Sequence, residues 1–139
     1  MVSTPIETAI TLPSHPAAAG TARRLVRELA STAMADTVEL LVSELVTNAV
    51  LHAPLGNVLE LRISASDDCV RVEVRDSSPH LPRMLLPADW GLHGRGLFLV
   101  DALADRWGSE QTATGKTVWC EVTTNRDEPV PPAPCYVVP

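Results

Sequence analysis

Ser43-Glu44-Leu45-Val46-Thr47-Asn48-Ala49 sets a carboxylate and a carboxamide one helical turn apart inside an otherwise apolar segment. At roughly 100° per residue, the apolar side chains Leu40, Leu41, Val42, Leu45, Val46, Ala49, Val50 and Leu51 take up most of the circumference between Val38 and Ala53. A helix apolar nearly all round is expected to be buried. Glu44 and Asn48 fall between Leu40 and Leu51 on one side and Leu41 and Leu45 on the other. An unpaired buried carboxylate is costly. This edge is therefore expected to line a polar cavity, where Glu44 and Asn48 orient water, a divalent ion or the phosphates such an ion carries. The competing reading is local: Glu44 pairs with Arg23, Arg24 or Arg27 from the preceding helical segment, and Asn48 caps a neighbouring strand.

The flanking segments supply the architecture. Ile6 to Leu12 alternates as an edge strand, Pro13-Ser14-His15-Pro16 breaks it, and a helix is expected from about Ala17 to Ala30. The long helix runs from about Ala35 to His52, where Pro54 and Gly56 stop it. Val58 to Ser64 and Cys69 to Asp76 alternate at period two around Asp67-Asp68, which reads as a hairpin. Ser77 to His93 carries Pro79, Pro82 and Pro87 without a steady period and reads as a loop long enough to be a lid. Helical spacing returns from Leu97 to Arg106, and Gly115-Lys116-Thr117 leads into a strand from Val118 to Val122. This order predicts an α+β two-layer sandwich, a mostly antiparallel mixed sheet with helices on one face.

A chain of 139 residues fits one domain, here residues 1–124. Residues 125–139 hold five of the twelve prolines and are expected to form a mobile tail. Eleven Lys and Arg against seventeen Asp and Glu give a net charge of −6, which argues against direct nucleic-acid binding through phosphate contacts. The N-terminus does not read as a signal peptide, and no apolar run approaches the roughly 18 residues of a membrane span. A cytoplasmic protein is expected. Cys69, Cys120 and Cys135 are odd in number and lack metal-ligand spacing, so free thiols are expected. Trp90, Trp107 and Trp119 are read as packing residues.

Two further segments bear on chemistry. Asp76 closes its strand where a loop begins, so its carboxylate either accepts a hydrogen bond from an exocyclic amine such as that of adenine or initiates an Asx-type turn. Gly91-Leu92-His93-Gly94-Arg95-Gly96 opens a helix. Its glycines permit close backbone approach, the helix N-terminus offers unpaired N–H groups, and Arg95 adds a fork suited to phosphate oxygens. Two phosphate motifs are excluded. A dinucleotide fingerprint needs glycine where Leu99 stands, and a P-loop needs one where Glu110 stands.

The ordered set Glu44-x-x-x-Asn48-Ala49, strand-end Asp76, Gly94-x-Gly96-Leu97 and Gly115-Lys116-Thr117 resembles the GHKL (histidine kinase/Hsp90-like, Bergerat-type) ATP-binding domain. Within that family, Ser43 to Ala53 and Gly94-Arg95-Gly96-Leu97-Phe98-Leu99-Val100 look like the stand-alone anti-sigma-factor serine/threonine kinases of actinobacteria. The resemblance covers about residues 5 to 123. It implies ATP and Mg2+ as cofactors, Asn48 as the magnesium ligand and Glu44 as the catalytic carboxylate that positions or deprotonates an acceptor hydroxyl. It also implies Asp76 on the adenine amine with Thr117 nearby, Gly94, Arg95, Gly96 and Leu97 around the phosphates, and Leu81 to His93 as the lid.

One departure stands out. The family's first glycine box runs Asp-x-Gly-x-Gly, whereas this chain has Asp76-Ser77-Ser78-Pro79-His80. A Cβ at Ser78 obstructs close approach and Pro79 removes a donor, so weakened ATP binding is expected. The function implied is phosphorylation of a serine or threonine on an antagonist protein, alternating with sequestration of a sigma factor; a homodimer is possible. The alternative is a non-catalytic protein-binding module with a degenerate nucleotide pocket.

Overall fold

The computed structural model describes residues 6–52, 57–77, 95–113 and 115–124. The elements run β1 (Ile6–Pro13), α1 (Ala18–Leu29), α2 (Thr32–His52), β2 (Val58–Ala65), β3 (Cys69–Asp76), α3 (Arg95–Leu103), β4 (Arg106–Thr112) and β5 (Gly115–Thr123). The sheet order is β1-β2-β3-β5-β4, and all four pairings are antiparallel. The expected α+β sandwich is therefore what the chain forms, with an antiparallel rather than a mixed sheet among the described residues.

Strand alternation builds the core. Leu59, Leu61 and Ile63 of β2, Val70, Val72 and Val74 of β3, and Val118, Cys120 and Val122 of β5 are buried on one face. They form one cluster with Ala22 and Val26 of α1 and with Val38, Leu41, Val42, Leu45, Val46 and Ala49 of α2. Each such Leu or Val contributes roughly 1.5–3 kcal/mol by leaving water. The intervening β3 residues Arg71, Glu73 and Arg75 point to the opposite face.

Helices α1 and α2 meet at a short break. Ser31 offers its carbonyl to the amides of Met34 and Ala35 at 3.0 and 2.9 Å, which starts α2. Arg27 of α1 then reaches Asp36 and Glu39 of α2. The centre of α2 packs against the central strands β3 and β5 and against α3.

Three sequence expectations are corrected. The helix read as Leu97 to Arg106 ends at Leu103, and Arg106 opens β4, an edge strand that Arg-Trp-Gly-Ser-Glu-Gln-Thr does not announce because its residues are mostly polar and half-exposed. Next, α2 is not buried all round: Leu40 and Leu51 keep 41% and 43% of their surface, so one edge is open. Finally, Cys69 is disulfide-bonded rather than free; it opens β3 at a half-exposed end, whereas Cys120 is a free thiol sealed in the core. The expected tail, residues 125–139, and the expected lid lie outside the described residues. Among the described residues no helix is long and apolar enough to cross a membrane.

Candidate functional site

The open edge of α2 carries the candidate residues Glu44 and Asn48. Leu40, Glu44, Thr47 and Leu51 recur at helical spacing along it, and Asn48 stands one turn beyond Glu44 on the buried side. Burial raises the pKa of the Glu44 carboxyl above its ordinary value. The local alternative, an arginine partner for Glu44, is not what forms. Arg23 donates to Ser43 Oγ at 2.9 Å, Arg24 to Thr21 Oγ1 at 3.4 Å, and Arg27 to Asp36 and Glu39. Among the described residues neither the Glu44 nor the Asn48 side chain has a hydrogen-bonding or ionic partner. A carboxylate and a carboxamide oxygen held one turn apart suit a hard cation with its waters. That donor set fits a magnesium ion better than a packing role.

Asp76 ends β3 with its side chain fully buried on the helix-covered face. The register sets Lys116 directly across from it, and Lys116 Nζ lies 3.6 Å from Asp76 Oδ2. Lys116 is itself 1% exposed. Beside the pair, Gly115 lets β5 start hard against the turn of the chain: a Cβ there would lie 1.9 Å from the Asp76 carbonyl oxygen. Asn57 Nδ2 donates to Ser77 Oγ at 2.5 Å and steadies the residue that follows.

Thr117 is not brought to Asp76. It pairs with Arg75 and shares the other face of the sheet with Glu60, Arg62, Glu73 and Arg75. Strand side chains alternate, so a shift of one residue decides the face. Lys116, not Thr117, is the neighbour of the Asp76 carboxylate. Sequence reading missed Lys116, although a signal existed: it is in phase with Val118, Cys120 and Val122 and so stands at an inward position.

Arg95, Gly96 and Leu97 form the first residues of α3, two residues earlier than the spacing suggested. Gly94, Ser78 and Pro79 lie outside the described residues. Trp107 packs against the core and its Nε1 donates to Asp101 at 2.9 Å, while Trp119 lies on the outer face with the Arg71 guanidinium 4.1 Å from the ring centroid. Both act in packing.

The fold defines a class, the two-layer α+β domains with helices packed on one face of an antiparallel sheet. A family model described as the histidine kinase-like ATPase domain matches residues 12–121, and the chain belongs to that family. An uncharacterized protein of Streptomyces coelicolor is 37% identical over 84 residues, which span 58% of this chain and 79% of that one. The crystal structure of the RsbU and RsbW domains of a Mycobacterium tuberculosis protein superposes with a TM-score of 0.60 at 23% identity. That match covers 85% of this chain and 32% of the other, and at this identity it shows the fold alone. The histidine kinase domain of a blue-light activated histidine kinase from Erythrobacter litoralis gives a TM-score of 0.51 at 26% identity, covering 81% of this chain and 61% of that one. The chain thus spans less than two thirds of each of these solved structures.

Proposed function

We propose that this chain binds Mg-ATP between α2 and the end of β3 and transfers the terminal phosphate to a serine or threonine of an antagonist protein, alternating with sequestration of a sigma factor. The observation that carries the reading is the pair Glu44 and Asn48, without a side-chain partner among the described residues, on a helix packed against β3 and β5. Membership of an ATPase-domain family supports the nucleotide, and the fold shared with the RsbU and RsbW domain structure is compatible with a regulator of that kind.

In this reading Asn48 offers its side-chain oxygen to the metal that accompanies the nucleotide. Asp76 receives the base, and the N–H groups at the start of α3, with Arg95, receive the phosphates. Glu44 accepts the hydrogen bond of the acceptor hydroxyl. The acceptor oxygen forms its bond to the γ-phosphorus as the bond to the β–γ bridging oxygen breaks; the hydroxyl proton passes to Glu44 and ADP leaves. Burial raises the Glu44 pKa, which makes it a better base for that proton. Positioning and charge neutralisation carry most of such a transfer.

A second reading, a binding module without turnover, is favoured by Lys116 standing against the very carboxylate that would read the base. Calorimetric titration with Mg-ATP separates the two, run beside Asn48→Ala and followed by transfer assays with Glu44→Ala. Saturable binding that needs magnesium and Asn48, with transfer that needs Glu44, supports the kinase. Absence of binding at millimolar ATP supports the module.

A further inference from the structure

We infer that Lys116 is the resident counter-ion of the Asp76 carboxylate and competes with the nucleotide base for it, so that the base must displace the lysine to bind. The inference rests on the reading of Asp76 as the base-recognition residue and deepens it.

The two side chains face each other across β3 and β5 on the helix-covered side, where Cβ atoms of directly opposed residues stand about 4.5–5.5 Å apart. Both are sealed from solvent, with 1% of the lysine side chain and none of the aspartate side chain exposed. A buried ammonium carries three N–H donors and is costly unless they are satisfied. Lys116 Nζ makes no hydrogen bond among the described residues, and its ion pair with Asp76 is long at 3.6 Å. Buried pairs repay their desolvation only with close geometry and full hydrogen bonding. The Lys116 ammonium has neither, so stabilisation of the fold does not explain its place there. A charge held in an inward, otherwise apolar strand phase, aimed at a single carboxylate, is poised to exchange partners.

The chemistry of the exchange follows from donor and acceptor types. The exocyclic amine of adenine is a donor, and so is the ammonium, and both seek the same acceptor. An amine nitrogen must come within about 2.9 Å of a carboxylate oxygen. It cannot do so from the side that Nζ holds at 3.6 Å until the lysine swings away on its four-carbon stem. Lys116 therefore sets nucleotide affinity, and sets it low.

The test is calorimetric titration of the full chain with Mg-ADP and, separately, adenosine, which has no phosphates. Wild type, Lys116→Met, Lys116→Thr and Lys116→Arg are compared. Both neutral variants should bind each ligand about tenfold tighter or more, as expected from freeing one charge-assisted acceptor. An equal gain for adenosine and ADP places the effect at the base. Lys116→Arg, whose fork grips a carboxylate more firmly, should bind more weakly than wild type, and it keeps the test alive should the neutral variants fail to fold. Binding by wild type that the neutral variants leave unchanged or weaken, or that Lys116→Arg strengthens, overturns the competition alone; the lysine would then be a second donor to the base. Binding of neither ligand by any variant would instead sink the nucleotide reading, and the competition with it.

Discussion

Gly115 presses against the backbone of Asp76 so closely that a methyl group at position 115 would sit 1.9 Å from the Asp76 carbonyl oxygen and 2.7 Å from Ser77 Cα. The neighbouring atoms are backbone and have no rotamer to change. Gly115 is thus what allows β5 to pair with β3 as far as Lys116 and Asp76. Gly115→Ala should cost about 3 kcal/mol, at the upper end for overpacking, because the clash falls on main chain. Urea unfolding checks the stability, and under the proposed function the same variant should also lose nucleotide affinity, since Asp76 moves with its strand. An unfolding midpoint within error of wild type would show that the strands do not meet this closely.

On the opposite face of the sheet, Glu121 is 1% exposed and is flanked by two arginines from the neighbouring strands. Arg71 Nη1 lies 3.1 Å from Glu121 Oε2, and Arg106 pairs with Oε1. Arg71 also lies over the Trp119 ring. Removing the shared anion leaves Arg106 and Arg71 side by side, with Glu73 still 2.9 Å from Arg71, so Glu121→Ala should lose about 3 kcal/mol. Chemical denaturation measures it, and added salt should recover part of the loss by screening the arginines.

The helix edge was legible in the sequence because Glu44 and Asn48 interrupt an unbroken apolar period, and the hairpin was legible because Asp67-Asp68 separates two clean alternations. Other features were hidden for physical reasons. Among the described residues β4 pairs on one side only, and it presents Glu110 and Gln111 to solvent, so it shows no apolar alternation. Gly108 within it reads as a breaker, yet it makes room for the Trp119 indole, which a Cβ would meet at 2.9 Å. Which residue faces Asp76 depends on strand phase, which a motif does not carry: one residue separates inward Lys116 from outward Thr117. The disulfide at Cys69 left no local pattern at all.

Cys120 makes a simple check on the core. Burial pushes its thiol pKa up to about 12, with Arg71 lowering it and Glu121 raising it by smaller amounts. A thiol so held offers almost no thiolate at neutral pH. The peptide carrying Cys120 should stay unalkylated by iodoacetamide in the folded protein and react fully in denaturant, as read by mass spectrometry. Rapid native labelling would mean that the β5 layer opens to solvent.

Glu44 ties the site to stability. Burial raises its folded pKa above the ordinary 4.5 of the free side chain. Between those two values the folded state binds more protons than the unfolded one, so stability falls as pH rises through that window, and the penalty is complete above it. This is the reverse of a carboxylate held by a cation. Glu44→Gln has no proton to lose and avoids the penalty. Its melting temperature should match wild type at about pH 4 and exceed it at about pH 7, with the gap opening through the window set by the raised pKa. Under the proposed kinase function, phosphoryl transfer by the same variant should fall by about a hundredfold or more, the usual worth of a general base. Thermal melts across that pH range decide the matter. A gap that stays constant with pH would mean that Glu44 finds a compensating cation in solution, and a variant less stable than wild type at neutral pH would make the carboxylate structural.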